Sequence, residues 1–119
     1  MAETTQHLTS DQLTELRQKL TDKHDRITQE LDRLENKELP NLHLGDEAND
    51  GYGDDAKTDQ IRQRIVAQIK RRQTELAEIN AAFNRLDNGS YGLDERSGQP
   101  IRVERLMALP TARRAIANE

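Results

Sequence analysis

The stretch YGLDERSGQPIRVERLMALPTARRAIAN, Tyr91 to Asn118, decides how this chain is read. Gly92, Gly98 and Pro100 punctuate a tight β-hairpin or paired turns. A short helix follows from about Val103 to Leu109, Pro110 interrupts it, and TARRAIAN can open a last helix at Thr111. Leu93, Ile101, Leu106, Leu109 and Ile116 are the residues available for a miniature core. Such a knuckle looks made for a metal, yet the chain has no cysteine to hold one.

The rest of the composition points to helices. Of 119 residues, 33% are hydrophobic, 3% aromatic and 34% charged. That is too little apolar material for a deep multilayer enzyme core and suits long helices meeting along a narrow seam. The absence of cysteine excludes disulfides and thiolate metal sites. The opening MAETTQHLTS lacks a basic region followed by an apolar run, and no window approaches the ~18 apolar residues of a membrane span, so a cytoplasmic protein with no membrane partner is expected. A net charge of -4 argues against general attraction to nucleic acid.

Working back from the knuckle, two amphipathic stretches emerge. Thr9 suits an N-cap with Gln12 as its capping-box partner, and Leu8 can staple onto Leu13. Leu13, Leu16, Leu20, Ile27, Leu31 and Leu34 then trace one stripe. A second helix is expected from Asp54 or Asp55 to Asp87, stopped at Gly89, with Ile61, Ile65, Ile69, Leu76, Ile79, Phe83 and Leu86 on its stripe and Arg72 breaking it. Facing residues of an antiparallel pair have a nearly constant sum of numbers. Leu34 with Ile61, Leu31 with Ile65, Ile27 with Ile69, Leu20 with Leu76, Leu16 with Ile79 and Leu13 with Phe83 all sum to 95 or 96. The same rule sets His24 opposite Arg72, either as a polar layer fixing register or with Arg72 snorkelling outward. The expected fold is mainly α: a long antiparallel helical hairpin, or coiled coil, over residues 9–88, after a flexible N-terminus at 1–8.

Between the arms, Pro40 is expected to end the first helix, and a tip loop at about 40–54 carries the acids Asp46, Glu47, Asp50 and Asp54, with Asp55 next to them. An acidic helix cap explains such a cluster, and so does a tip that meets a metal or a basic surface supplied by a partner. An EF-hand does not fit its spacing. Behind the tip, Lys57, Arg62, Arg64, Lys70, Arg71 and Arg72 face only Asp59, either to pair with acids on the first helix or to contact an acidic partner.

Tyr91, Gly92, Gly98, Ile101, Arg105, Leu106, Ala108, Pro110 and Ala112 match the pattern Y-G-x-C-x-x-C-G-x-x-I-x-x-x-R-L-x-A-x-P-x-A-x-x-C-x-x-C. The chain thereby resembles the DksA/TraR zinc-finger family of bacterial transcription regulators. The resemblance puts the family's four cysteine positions on Asp94, Ser97, Ala115 and Asn118, a set that cannot replace four thiolates, so residues 89–119 are expected to form a degenerate, metal-free finger with no zinc or other cofactor. Leucine and isoleucine packing, turn hydrogen bonds, and Asp94 or Glu95 with Arg113 or Arg114 are expected to hold it.

Family members also carry a coiled coil before the finger and D-x-x-D-x-A at its tip. That motif falls here on Gly51, Asp54 and Ala56, with Asp50 one residue from the absent first acid. The resemblance implies a non-enzymatic regulator, acting as a monomer, that binds RNA polymerase and inserts its tip into the secondary channel. Asp50, Asp54, Asp55 and Ala56 would face the polymerase active site, and Arg62, Arg64, Arg71 and Arg105 would offer a basic contact surface. Response to the alarmone ppGpp is not implied: Leu109 and Glu78 stand where basic residues are usual, and the chain ends at Glu119 before the usual helical extension. A structural adaptor coiled coil and a Gre-like cleavage factor remain the alternatives, whereas direct DNA binding is disfavoured by the acidic charge.

Overall fold

The computed structural model describes residues 7–42 and 55–115, without the side chain of Asp55. Helix α1 spans Ser10–Arg33 and continues into a π-helical turn, Leu34–Glu38; α2 spans Asp55–Asn88 and a short α3 spans Val103–Ala108. Among the described residues the β structure is one isolated antiparallel bridge, Leu93 with Pro100. The start of α1 follows the sequence closely. Thr9 N–H donates to Gln12 Oε1 at 2.9 Å, and Gln12 N–H donates to Thr9 Oγ1 at 3.0 Å, a reciprocal capping box that satisfies two helix-end donors.

Two compact units divide the chain, Asp25–Leu76 and the pair Met1–His24 with Ala77–Glu119, and both long helices contribute to each. This differs from the expected partition into hairpin and finger, because the knuckle shares its unit with the beginning of α1 and the end of α2.

In the Asp25–Leu76 unit, Leu31, Leu34, Ile65 and Ile69 form the buried cluster, with Ile27, Leu39, Leu42 and Leu76 packed against it. These are the expected layers, with one correction: Ile61, matched to Leu34 by register, is 41% exposed. The π turn explains the change. Leu39 N–H bonds to Leu34 O, five residues back, so the wide turn brings Leu39 rather than Lys37 or Glu38 into phase with Leu34. Leu39 and Leu42 join the cluster instead. Pro40, expected to stop the helix, is followed by helical residues to 42. A proline ring clashes with the carbonyl four residues back, here Asn36, and a π turn through that residue opens the space. Arg72 donates to Glu30 Oε1 at 2.5 Å and also to Glu75, and these hydrogen bonds, Glu75 first, raise its pKa. Two carboxylates thus hold the arginine that interrupts the α2 stripe.

In the other unit, Leu16, Leu20, Ile79 and Ala82 are buried, and the His24 and Phe83 rings meet edge to face at 6.4 Å. Helix α2 stops where Gly89 takes φ 82°, with the Ser90 and Tyr91 N–H groups both donating to Arg85 O at 3.0 and 3.1 Å. Tyr91, Ile101, Leu106, Pro110 and Ala112 then form the core of the knuckle. Leu109, expected in that core, is 41% exposed because it caps α3 and leaves its side chain outside. Residues 1–8 were expected to be a flexible arm. Residues 1–6, like Ile116, lie outside the described residues, but His7 and Leu8 are seated: Leu8 is buried, and His7 Nε2 donates to Ile101 O at 3.0 Å. Gly92, at φ +84°, makes room for them, since a Cβ there would come within 3.1 Å of Leu8 Cδ1 and 3.2 Å of His7 Cε1.

The segment after Pro110 is not the expected helix. Residues 111–115 are turn and irregular backbone, because their carbonyls are taken by groups from elsewhere in the unit. Tyr91 Oη donates to Pro110 O at 2.8 Å, Arg85 Nη2 to Thr111 O at 3.4 Å, Glu95 N–H to Arg113 O at 2.8 Å and Arg105 Nε to Arg114 O at 2.8 Å. Burial pushes the Tyr91 phenol up to about 12, which keeps it a proton donor, and burial lowers the pKa of Arg85. Arg113 completes the fastening by donating to Glu78 at 2.7 and 3.1 Å and to Glu95 at 3.2 Å. The pairing of Glu95 with Arg113 is as expected; the part of Glu78 was not legible.

Two stability predictions result. Thr9→Ala removes the capping box and is expected to cost about 1 kcal/mol, read from the urea midpoint at unchanged slope. The Arg113 hydrogen bonds hold the Glu78 carboxyl below its ordinary value of 4.5. A depressed carboxylate stabilises the fold above the unfolded value and ceases to do so as pH falls through the folded one. The stability gap between wild type and Glu78→Gln is therefore expected to close as urea midpoints are taken from about pH 6 to about pH 3. Partial solvent exposure of the pair keeps that gap small.

Candidate functional site

Two groups of residues carry the functional interest, one in each compact unit. In the knuckle, Asp94 is the only charged side chain among the buried ones described, at 2% exposure. Its Oδ1 accepts N–H bonds from Arg96 at 2.8 Å and Ser97 at 3.0 Å. Its Oδ2 accepts from Ala115 N–H at 2.8 Å. The backbone of Asp94 closes the same turn, with its N–H donating to Gln99 O at 2.8 Å and its carbonyl accepting from Gly98 N–H at 2.9 Å, where Gly98 has φ 73°. The local part is an Asx turn, the conformation that D-x-x followed by S-G favours. The bond to Ala115 crosses 21 residues and could not be read from spacing.

These residues occupy the positions at which the related motif has cysteine. Ser97 Oγ accepts from Gln99 N–H at 3.2 Å, Ala115 offers only a methyl group, and Asn118 lies outside the described residues. Both oxygens of Asp94 are committed to N–H donors. The donor set does not fit zinc, which needs four deprotonated or neutral ligands arranged as a tetrahedron. Among the described residues no group of three or more His, Cys, Asp or Glu side chains is placed to hold a metal ion.

The second group lies on the first half of α2. Asp50 and Asp54 fall outside the described residues, Asp55 opens the helix, and Ala56 is exposed in its first turn. Of the six cations that follow, two are tied down: Arg62 to Asp59 at 2.6 Å and Arg72 to Glu30 and Glu75. Lys57, Arg64, Lys70 and Arg71 are exposed. Lys57, Arg64 and Arg71 recur every seventh residue, so they share one helix face, and the exposed Ile61 lies four residues after the first and three before the second. The result is a basic strip with an apolar contact point. Arg105, expected on the same surface, belongs to the other unit and is half-buried, where its Nε holds Arg114 O. No helix of the described residues is long and apolar enough to cross a membrane.

No protein-family model matches the chain. General stress protein 16O of Bacillus subtilis (strain 168) is 32% identical over 111 residues, spanning 92% of this chain and 67% of that protein. The uncharacterized protein YteA of the same organism is 36% identical over 70 residues, 59% of this chain and only 26% of that protein. Among solved structures, the transcription factor DksA2 from Pseudomonas aeruginosa is similar with a TM-score of 0.80 at 27% identity, covering 92% of this chain and 81% of that one. Likeness at this level, over 92% of the chain, places it, without a single cysteine, in the DksA/TraR-type family.

Proposed function

We propose that this protein regulates transcription by binding bacterial RNA polymerase and presenting the acidic tip between α1 and α2 to the secondary channel, without catalysing a reaction itself. The observation that carries this reading is the likeness to the transcription factor DksA2 over 92% of the chain. The residues add a physical rationale. Asp54 and Ala56 keep the second half of the family's tip motif, with Asp50 available as a further acid, and a carboxylate brought into a narrow channel with low-dielectric walls acts more strongly than it would in water. Lys57, Ile61, Arg64 and Arg71 combine cationic and apolar contact on one face, which suits an acidic protein wall. In this reading the protein is a cytoplasmic monomer and requires no metal of its own, and ppGpp binding is disfavoured, since Glu78 is engaged with Arg113 and Leu109 brings no charge.

The test separates partner from mechanism. Asp54→Asn is expected to co-purify with RNA polymerase as wild type does while losing its effect on promoter transcription in vitro. A chain that fails to associate with polymerase in either form supports the adaptor reading, and tip-dependent cleavage of a stalled transcript supports the Gre-like one. The paired reversal Arg64→Glu and Arg71→Glu is expected to weaken polymerase association by roughly tenfold or more, with a reduced sensitivity to salt.

A further inference from the structure

We infer that the Asp94 carboxylate serves in place of the metal of a zinc finger of this frame, as the clasp that joins the two halves of the knuckle. In a zinc finger of this frame the ion would tie positions 94 and 97 to positions 115 and 118. Here one buried carboxylate joins the same two loops through backbone N–H groups: Arg96 and Ser97 on Oδ1, Ala115 on Oδ2. The surrounding bonds place the Ala115 N–H for it. Glu95 N–H fixes Arg113 O, and Arg105 Nε fixes Arg114 O, so the peptide leading to Ala115 is held at two successive carbonyls. Arg113 draws the outside of the same loop toward Glu78 and Glu95.

This geometry demands aspartate. An asparagine has one acceptor oxygen and one NH2 group, so with the oxygen kept on Arg96 and Ser97 it would set a donor against the Ala115 donor. A glutamate is one methylene too long for the Asx turn that aims the group. The clasp therefore depends on a residue that the zinc-bearing pattern does not contain, and it works without a metal. The clasp belongs to the chain by itself and needs no polymerase partner.

Amide hydrogen exchange followed by NMR tests it directly. In the wild-type protein the Ala115 amide is expected to exchange at least ~100-fold more slowly than in an unstructured peptide, and EDTA is expected to change neither that rate nor the melting temperature. Asp94→Asn is expected to lose Ala115 protection by tenfold or more while Arg96 and Ser97 keep most of theirs, and Asp94→Ala is expected to lose all three, with melting lowered by roughly 5 °C or more. Far-UV circular dichroism should retain the α1 and α2 signal in both variants. A wild-type chain that carries stoichiometric zinc and loses melting temperature with EDTA overturns the inference. So does an Ala115 amide that exchanges freely in wild type, or equally slowly in Asp94→Asn.

Discussion

The fold depends on a narrow apolar seam. With a third of its residues hydrophobic and another third charged, the chain can stabilise two long helices only by turning one stripe of each toward the other. Leu31, Leu34, Ile65 and Ile69 make that contact in one unit, and Leu16, Leu20, Ile79 and Ala82 in the other. A seam this thin leaves little freedom of register, because a one-residue screw of either helix would rotate its stripe by about 100°, away from the seam. Its polar interruption is consistent with that constraint: Arg72 is retained in the stripe with two carboxylates, Glu30 and Glu75, to balance it.

Much of this was legible in the sequence, and the parts that were not share a cause. Capping at Thr9, the stop at Gly89, the two stripes and most of their facing layers follow from local chemistry and helical period. Pattern reading assumes an unbroken period, however, and the π turn at Leu34–Glu38 breaks it. It rescued Leu39 and Leu42 for the core, left Ile61 outside and carried the helix past Pro40. The same limit applies to residues 111–115, whose composition favours helix. Their conformation is set by Tyr91, Arg85, Glu95 and Arg105, donors that lie between 9 and 26 residues from their acceptors in sequence and are invisible to a local reading.

The candidate sites show a comparable split. The cations of α2 were identified from the sequence itself, and the positions at which the family motif has cysteine from the resemblance. What spacing could not supply was the direction of each side chain. Arg105 looked like a contact residue and is an internal brace; Arg62 is paired with Asp59 on its own helix. Asp94 looked like a poor remnant of a ligand and is the most completely buried charge described.

A carboxylate can take over from a metal here because the two devices solve the same problem with different partners. Zinc gathers side chains, so its loops need cysteine at four fixed positions. A carboxylate gathers N–H groups, which every residue except proline supplies, so the identities of residues 96, 97 and 115 become nearly free while their backbone directions become fixed. That exchange accounts for what the knuckle retains. Gly92 and Gly98 supply the left-handed turns, and Tyr91, Ile101, Leu106, Pro110 and Ala112 the core that aims the chain, while serine, alanine and asparagine stand at three of the positions where the family motif has cysteine. Arg85, Arg105 and Arg113 order the backbone around the same loop, through Thr111 O, Arg114 O and the Glu78 and Glu95 carboxylates.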